Sequence, residues 1–160
     1  LTWSPAVRIS DATSGAAYKT AAGFLEVYGD YGEFAITSTG KTIAIWGLSF
    51  KPDTDDMRDA PSVAVINSLL KEGASVAAFD PVAMDESKKV FPSISYGRDP
   101  YAILKDAGAL ILVTEWDEFK EPDFKRIKSL LKTPILIDGR NIYDPVEVKS
   151  FGLTYLGMGR

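Results

Sequence analysis

From Lys41 onward the chain repeats one pattern: a short unbroken apolar run, a polar loop, then a stretch with apolar residues at helical spacing. The runs lie near residues 42–47 (TIAIWG), 75–79 (SVAAF), 109–113 (ALILV) and 134–138 (PILID), with weaker ones in ISYG and LTYLGMG. A strand with one solvated face alternates apolar and polar residues, whereas a strand buried on both faces reads as a continuous apolar run. Such runs alternating with helices constrain the chain to a mostly parallel sheet covered on both sides, a doubly wound α/β fold.

The helical stretches carry their own punctuation. In PSVAVINSLLKEG, Val63, Ile66, Leu69 and Leu70 share one face, Pro61 is tolerated in the first turn, and Gly73 marks the stop. Further helices are expected over Ala83 to Val90, DPYAILKDAG, PDFKRIKSLLK and Pro145 to Phe151. The first forty residues differ: they are rich in Gly, Ala, Ser and Thr, show no strand–helix alternation, and offer at best a weak helix around Ala16 to Tyr28. Residues 1–40 are therefore read as an appendage or linker, and 41–160 as the folded domain.

Composition removes several kinds of chemistry. The sequence has no cysteine and no histidine, which excludes disulfides, thiolate nucleophiles, Cys/His metal sites and histidine acid–base catalysis within it. With a net charge of −4 and the two signs interspersed, there is no basic stripe for a nucleic-acid backbone. No apolar run approaches the ~18–20 residues of a membrane span. No charged segment followed by an apolar core opens the chain, so a cytoplasmic location is the expectation.

Ligands of open α/β sheets bind outside the carboxyl ends of the strands, which directs attention to the loops GLSFKPDTDDMR, DP, TEW and DGRN. Only the first and last supply cations: Lys51, Arg58 and Arg140. Gly47 alone is not the G-x-G-x-x-G fingerprint, so any anion is held by side chains. Lysine is a compact point charge suited to a phosphate, and arginine a planar fork for bidentate contact. The residues alone leave Lys51 and Arg58 open between an anion site and a solvated loop, and a surface salt bridge is the plain alternative for Arg140. Asp53, Asp55 and Asp56 read as turn and N-capping residues ahead of the helix near Pro61. A receiver-type signalling module would need an aspartate ending the third strand and a lysine ending the fifth, where this chain has Tyr96-Gly97 and Asp138-Gly139-Arg140.

GLSFKPDTDDMRDAPS, FDPVAM, VTEWDEF and DGRNIYDP, taken together and in this order, closely resemble the C-terminal domain of the UDP-glucose/GDP-mannose dehydrogenase family. The resemblance runs from about Lys41 to Arg160 and is nearest to the bacterial members acting on UDP-glucose. It implies a Rossmann-like, UDP-sugar-binding domain of an enzyme that oxidises the C6 alcohol to a carboxylate with NAD, through a cysteine-linked intermediate. Phe50, Lys51 and Arg140 are then expected to contact the nucleotide sugar, and Arg58 to reach NAD bound mainly by an N-terminal domain. No catalytic residue is expected within this stretch, and alone it should be inactive. The family's enzymes are expected to be homodimers or higher oligomers. Relatives acting on GDP-mannose or UDP-N-acetyl-hexosamines, and a stand-alone binding module, are the alternatives.

Overall fold

The computed structural model describes the backbone of residues 7–10, 17–21, 24–29 and 32–37 and the full chain from 40 to 158. Four strands, β1 (Val7–Ser10), β2 (Ala17–Ala21), β3 (Phe24–Gly29) and β4 (Gly32–Thr37), form an antiparallel meander in that order. This corrects the weak helix expected over 16–28: residues 17–21 and 24–28 are extended, with Tyr18 opposite Val27 and Leu25 opposite Ile36. Residues 16, 22 and 23 of that expected helix lie outside the described residues. Tyr, Thr, Phe and Val in short runs between glycines favour a pleated ladder over a helix that glycine would weaken.

The second sheet contains β5 (Thr42–Trp46), β6 (Ser75–Phe79), β7 (Ser95–Tyr96), β8 (Ala109–Leu112), β9 (Ile135–Asp138) and β10 (Thr154–Gly157). Their order is β10-β9-β8-β5-β6-β7, and every pairing is parallel. The four long apolar runs are the four central strands, as the sequence predicts. From β5 the chain builds outward to β7, then crosses back to place β8 on the other side of β5. The strand order therefore reverses between β5 and β8, where doubly wound sheets open a crevice for ligands.

Side chains on each strand alternate between two cores. Ile43, Ile45, Ile111 and Ile137 face one layer with Val65, Ile66 and Leu69 of helix α1 (Pro61–Lys71). Ala44, Trp46, Leu110 and Leu112 face the other, against Phe124 and Ile127 of α3 (Phe124–Leu130) and Val148 of α4 (Pro145–Ser150). Helix α2 (Met84–Val90) follows β6. Each fully buried aliphatic such as Ile66 or Leu69 contributes roughly 1.5–3 kcal/mol by leaving water. Trp46, 1% exposed, stacks on Phe119 at 4.9 Å and donates its indole N–H to the Pro100 carbonyl at 2.8 Å.

The predicted signals for α1 are realised. Pro61 opens it, and Gly73 (φ 79°) closes it, with Gly73 N–H donating to Leu70 O at 3.1 Å and Ala74 N–H to Leu69 O at 3.0 Å. Those two bonds satisfy carbonyls the helix end would otherwise orphan. The helix expected in DPYAILKDAG is instead a 3-10 turn at Ala102–Leu104. Asp99 accepts from the Tyr101 and Ala102 N–H groups at 2.9 and 2.8 Å, and Asp106 is left-handed (φ 60°). A cap and a reversal this close together leave room for a single tight turn.

Candidate functional site

The loop after β5 depends on one glycine. Gly47 has φ 92°, and a Cβ there would lie 2.5 Å from the Thr114 backbone nitrogen. Only a residue without a side chain lets β5 exit so close to the chain leaving β8. Thr114 then donates its hydroxyl to the Ser49 carbonyl at 2.6 Å. The start of the crevice between β5 and β8 is thus filled by protein.

Beyond Gly47 the loop is tied down by a carboxylate that sequence reasoning passed over. Asp80 directly follows β6, is wholly buried, and has no cationic partner among the described residues. One oxygen accepts from Leu48 N–H (2.7 Å), Ser49 N–H (3.1 Å) and the Trp116 indole (3.0 Å), with Ser49 Oγ 3.3 Å away. The other accepts from Val82 and Ala83 N–H at 2.9 and 2.8 Å. Buried charge is tolerable when it is hydrogen-bonded to this degree. Its field reaches the surface: burial first, and the Asp80 charge second, push the Glu118 carboxyl above its usual range.

On this braced base stand Phe50, 51% exposed, and the exposed Lys51. Ser49 donates its hydroxyl to the Lys51 carbonyl at 2.8 Å, and Phe50 N–H donates to Asp56 O at 2.8 Å, which closes the loop on itself. No ion pair engages the Lys51 ammonium among the described residues.

Arg58 lies further along. Its side chain is 87% exposed and grips Asp56, Nε–Oδ1 3.0 Å and Nη2–Oδ2 2.7 Å. The hydrogen bonds from Arg58 hold the Asp56 carboxyl down at about 2. Asp53 (φ 63°) and Asp59 (φ 55°) take left-handed turn conformations, as turn residues should. The capping expectation is corrected, because the residue preceding α1 is Ala60 and no side chain caps the helix. Pro61 at the first helical position has no N–H to satisfy, which lessens the need. Arg58 borders a groove shared with Glu86, Lys89 and Val90 of α2, and no hydrogen bond or ion pair joins it to Lys51 or Arg140 among the described residues.

Arg140 follows β9. Its loop is set by Asp138, wholly buried, whose Oδ1 accepts from Arg140 N–H at 3.0 Å and whose Oδ2 accepts from Tyr143 N–H at 3.0 Å and the Tyr155 hydroxyl at 2.9 Å. Burial, then the Asp138 charge, raise the Tyr143 phenol far above its usual range, so it remains a donor. The Arg140 side chain is paired: Nε lies 2.6 Å from Glu115 Oε2 and Nη2 donates to Oε1 at 2.9 Å. The salt-bridge alternative for Arg140 is therefore part of the structure. Lys51 and Arg140 leave the same edge of the sheet from strands separated only by β8, roughly 10 Å apart at ordinary strand spacing.

The family model described as "UDP-glucose/GDP-mannose dehydrogenase family, UDP binding domain" matches residues 44–145, which include Phe50, Lys51, Arg58 and Arg140. The chain belongs to this family. A UDP-glucose 6-dehydrogenase of Rhizobium meliloti is 47% identical over 121 residues, covering 76% of the chain and 28% of the relative. One of Pseudomonas aeruginosa is 44% identical over 127 residues, with the same coverage of 76% and 28%. Among solved structures, a Pyrobaculum islandicum UDP-glucose dehydrogenase has 31% identity and a TM-score of 0.59, covering 76% of this chain and 25% of that one. An NDP-N-acetyl-D-galactosaminuronic acid dehydrogenase of Methanosarcina mazei has 28% identity and a TM-score of 0.67, covering 77% and 25%. The chain thus spans 28% of the length of these curated relatives.

Proposed function

We propose that residues 41–160 are the nucleotide-sugar-binding domain of a UDP-glucose 6-dehydrogenase, an enzyme that oxidises UDP-glucose to UDP-glucuronate with NAD. The observation that carries the reading is the pairing of two cation-bearing loops at one sheet edge. Each is braced by a buried strand-end aspartate, Asp80 beneath Lys51 and Asp138 beneath Arg140. In this reading the Lys51 ammonium faces the diphosphate, Phe50 flanks the ligand, and the Arg140 fork takes polar groups of the sugar or base. The whole enzyme is proposed to be a cytoplasmic homo-oligomer.

For NAD the residues present fit a contact and not a site. The base of the crevice between β5 and β8 is filled by the Gly47–Thr114 approach and the Thr114–Ser49 hydrogen bond, and the loop after β5 has no G-x-G-x-x-G run to cradle a dinucleotide pyrophosphate. Arg58, with its exposed guanidinium, is the residue proposed to meet NAD held by another domain. Bound NAD accepts hydride; residues 41–160 are assigned binding and orientation alone, since the sequence lacks the cysteine on which the family's covalent step depends.

Calorimetric titration of the chain with UDP-glucose tests the reading. Lys51→Ala should weaken binding about ten- to a hundredfold, from loss of a charge-assisted contact worth roughly 1.5–3 kcal/mol. Because Lys51 is exposed and makes no ion pair among the described residues, its loss should leave the melting temperature within about 1 °C. Equal affinity in the variant would make Lys51 a solvated loop residue. A second reading, a UDP-N-acetyl-hexosamine or GDP-mannose relative, draws on the likeness to the Methanosarcina enzyme. Tighter binding of UDP-N-acetylmannosamine or GDP-mannose than of UDP-glucose would favour it.

A further inference from the structure

We infer that Glu115 is a positioning residue of the nucleotide-sugar site, one that holds the Arg140 guanidinium in its ligand-ready orientation; this rests on the nucleotide-sugar reading above. Glu115 follows β8, the strand between those that deliver Lys51 and Arg140, so it stands at the centre of the proposed ligand edge. Both of its oxygens are used on one partner, at 2.6 Å to Nε and 2.9 Å to Nη2. A guanidinium carries five N–H donors, and the hydrogen bond to Glu115 uses one of them, on Nη2, with Nε in ion-pair contact. Nη1 has no partner among the described residues, so a full donor pair stays available to a ligand.

An unpaired arginine at a loop tip samples many rotamers, and fixing it on binding opposes affinity. Glu115 removes that cost before the ligand arrives. The pair is half-exposed, with side chains 28% and 35% accessible, and surface ion pairs of this kind contribute little to folding. A carboxylate at the centre of a site for an anionic ligand is unfavourable electrostatically. Its presence there is accounted for if the ligand contacts Arg140 through neutral hydroxyl or carbonyl groups and leaves the charge to Lys51.

The test is a double-mutant cycle on UDP-glucose affinity, measured by calorimetry on the same chain. Glu115→Ala should weaken binding about two- to tenfold, the effect of losing one pre-ordered side chain, with little change in melting temperature. Glu115→Gln keeps one acceptor and should recover part of the loss. In an Arg140→Ala background, Glu115→Ala should no longer weaken binding, since the unpaired carboxylate then only repels the ligand. Unchanged or tighter binding in Glu115→Ala, or additive losses across the cycle, overturns the positioning role. Absence of UDP-glucose binding in the unaltered chain instead overturns the nucleotide-sugar reading, and the proposal with it.

Discussion

Gly47→Ala should destabilise the domain by about 2–5 kcal/mol, combining the left-handed backbone penalty of a non-glycine residue with overpacking against a fixed neighbour. The backbone there sits at φ 92°, and the added methyl would meet Thr114 at 2.5 Å from N and Cβ and 2.8 Å from Cα. Thr114 continues from a central strand, so its main chain cannot retreat. A control separates the two contributions: Gly40 has φ 71° but open space around it, and Gly40→Ala should show the backbone penalty alone. Urea denaturation of both variants reads the difference. A loss below about 1 kcal/mol for Gly47→Ala would mean that β5 and β8 do not approach this closely.

Asp80→Ala should cost about 3–5 kcal/mol, because several buried donors lose their only acceptor at once and each orphan costs roughly 1–3 kcal/mol. The main-chain N–H groups of Leu48, Ser49, Val82 and Ala83, with the Trp116 indole, all converge on this carboxylate. Against a total stability of about 5–15 kcal/mol, that is a large share. Asp80→Asn keeps one oxygen but turns an amide N–H₂ toward donors, and should lie between the variant and the unaltered chain. Denaturant midpoints, with Trp fluorescence as the probe, check both. An Asp80→Ala chain as stable as the original would show the loop held by other contacts.

How much of this was legible depends on whether a residue's partner lies nearby in sequence. The central strands were readable because Ile43 to Trp46 and Ala109 to Leu112 are buried on both faces and so have no polar alternation. Lys51 and Arg140 stood out as cations at strand ends. Asp80 and Asp138 did not, because an aspartate before proline or glycine has the same letters whether it turns a loop at the surface or accepts three to five hydrogen bonds in the core. The one available signal was position: an acid directly at the end of an apolar run such as SVAAF or ILI must leave the core or be fully satisfied there. The Glu115–Arg140 pair spans 25 residues and exists only because β8 and β9 are neighbours. In DPYAILKDAG the apolar spacing was compatible with a helix, but Asp99 and Asp106 bound it too tightly for one to form. The meander of β1 to β4 escaped notice because its strands are short and diluted by alanine and glycine, which weaken both periodicities.

On the proposed function, a nucleotide sugar binds at the carboxyl edge of the six-stranded sheet, between the Lys51 and Arg140 loops. Backbone amide NMR of the isotope-labelled chain, titrated with UDP-glucose, reads that location directly. Saturable shift changes are expected at Leu48 to Lys51 and Gly139 to Asn141, lost at the same concentrations in Lys51→Ala. Saturation with no shifts at that edge, or with shifts gathered in the cleft between α3 and α4 lined by Lys120, Asp123, Tyr143 and Glu147, would contradict it.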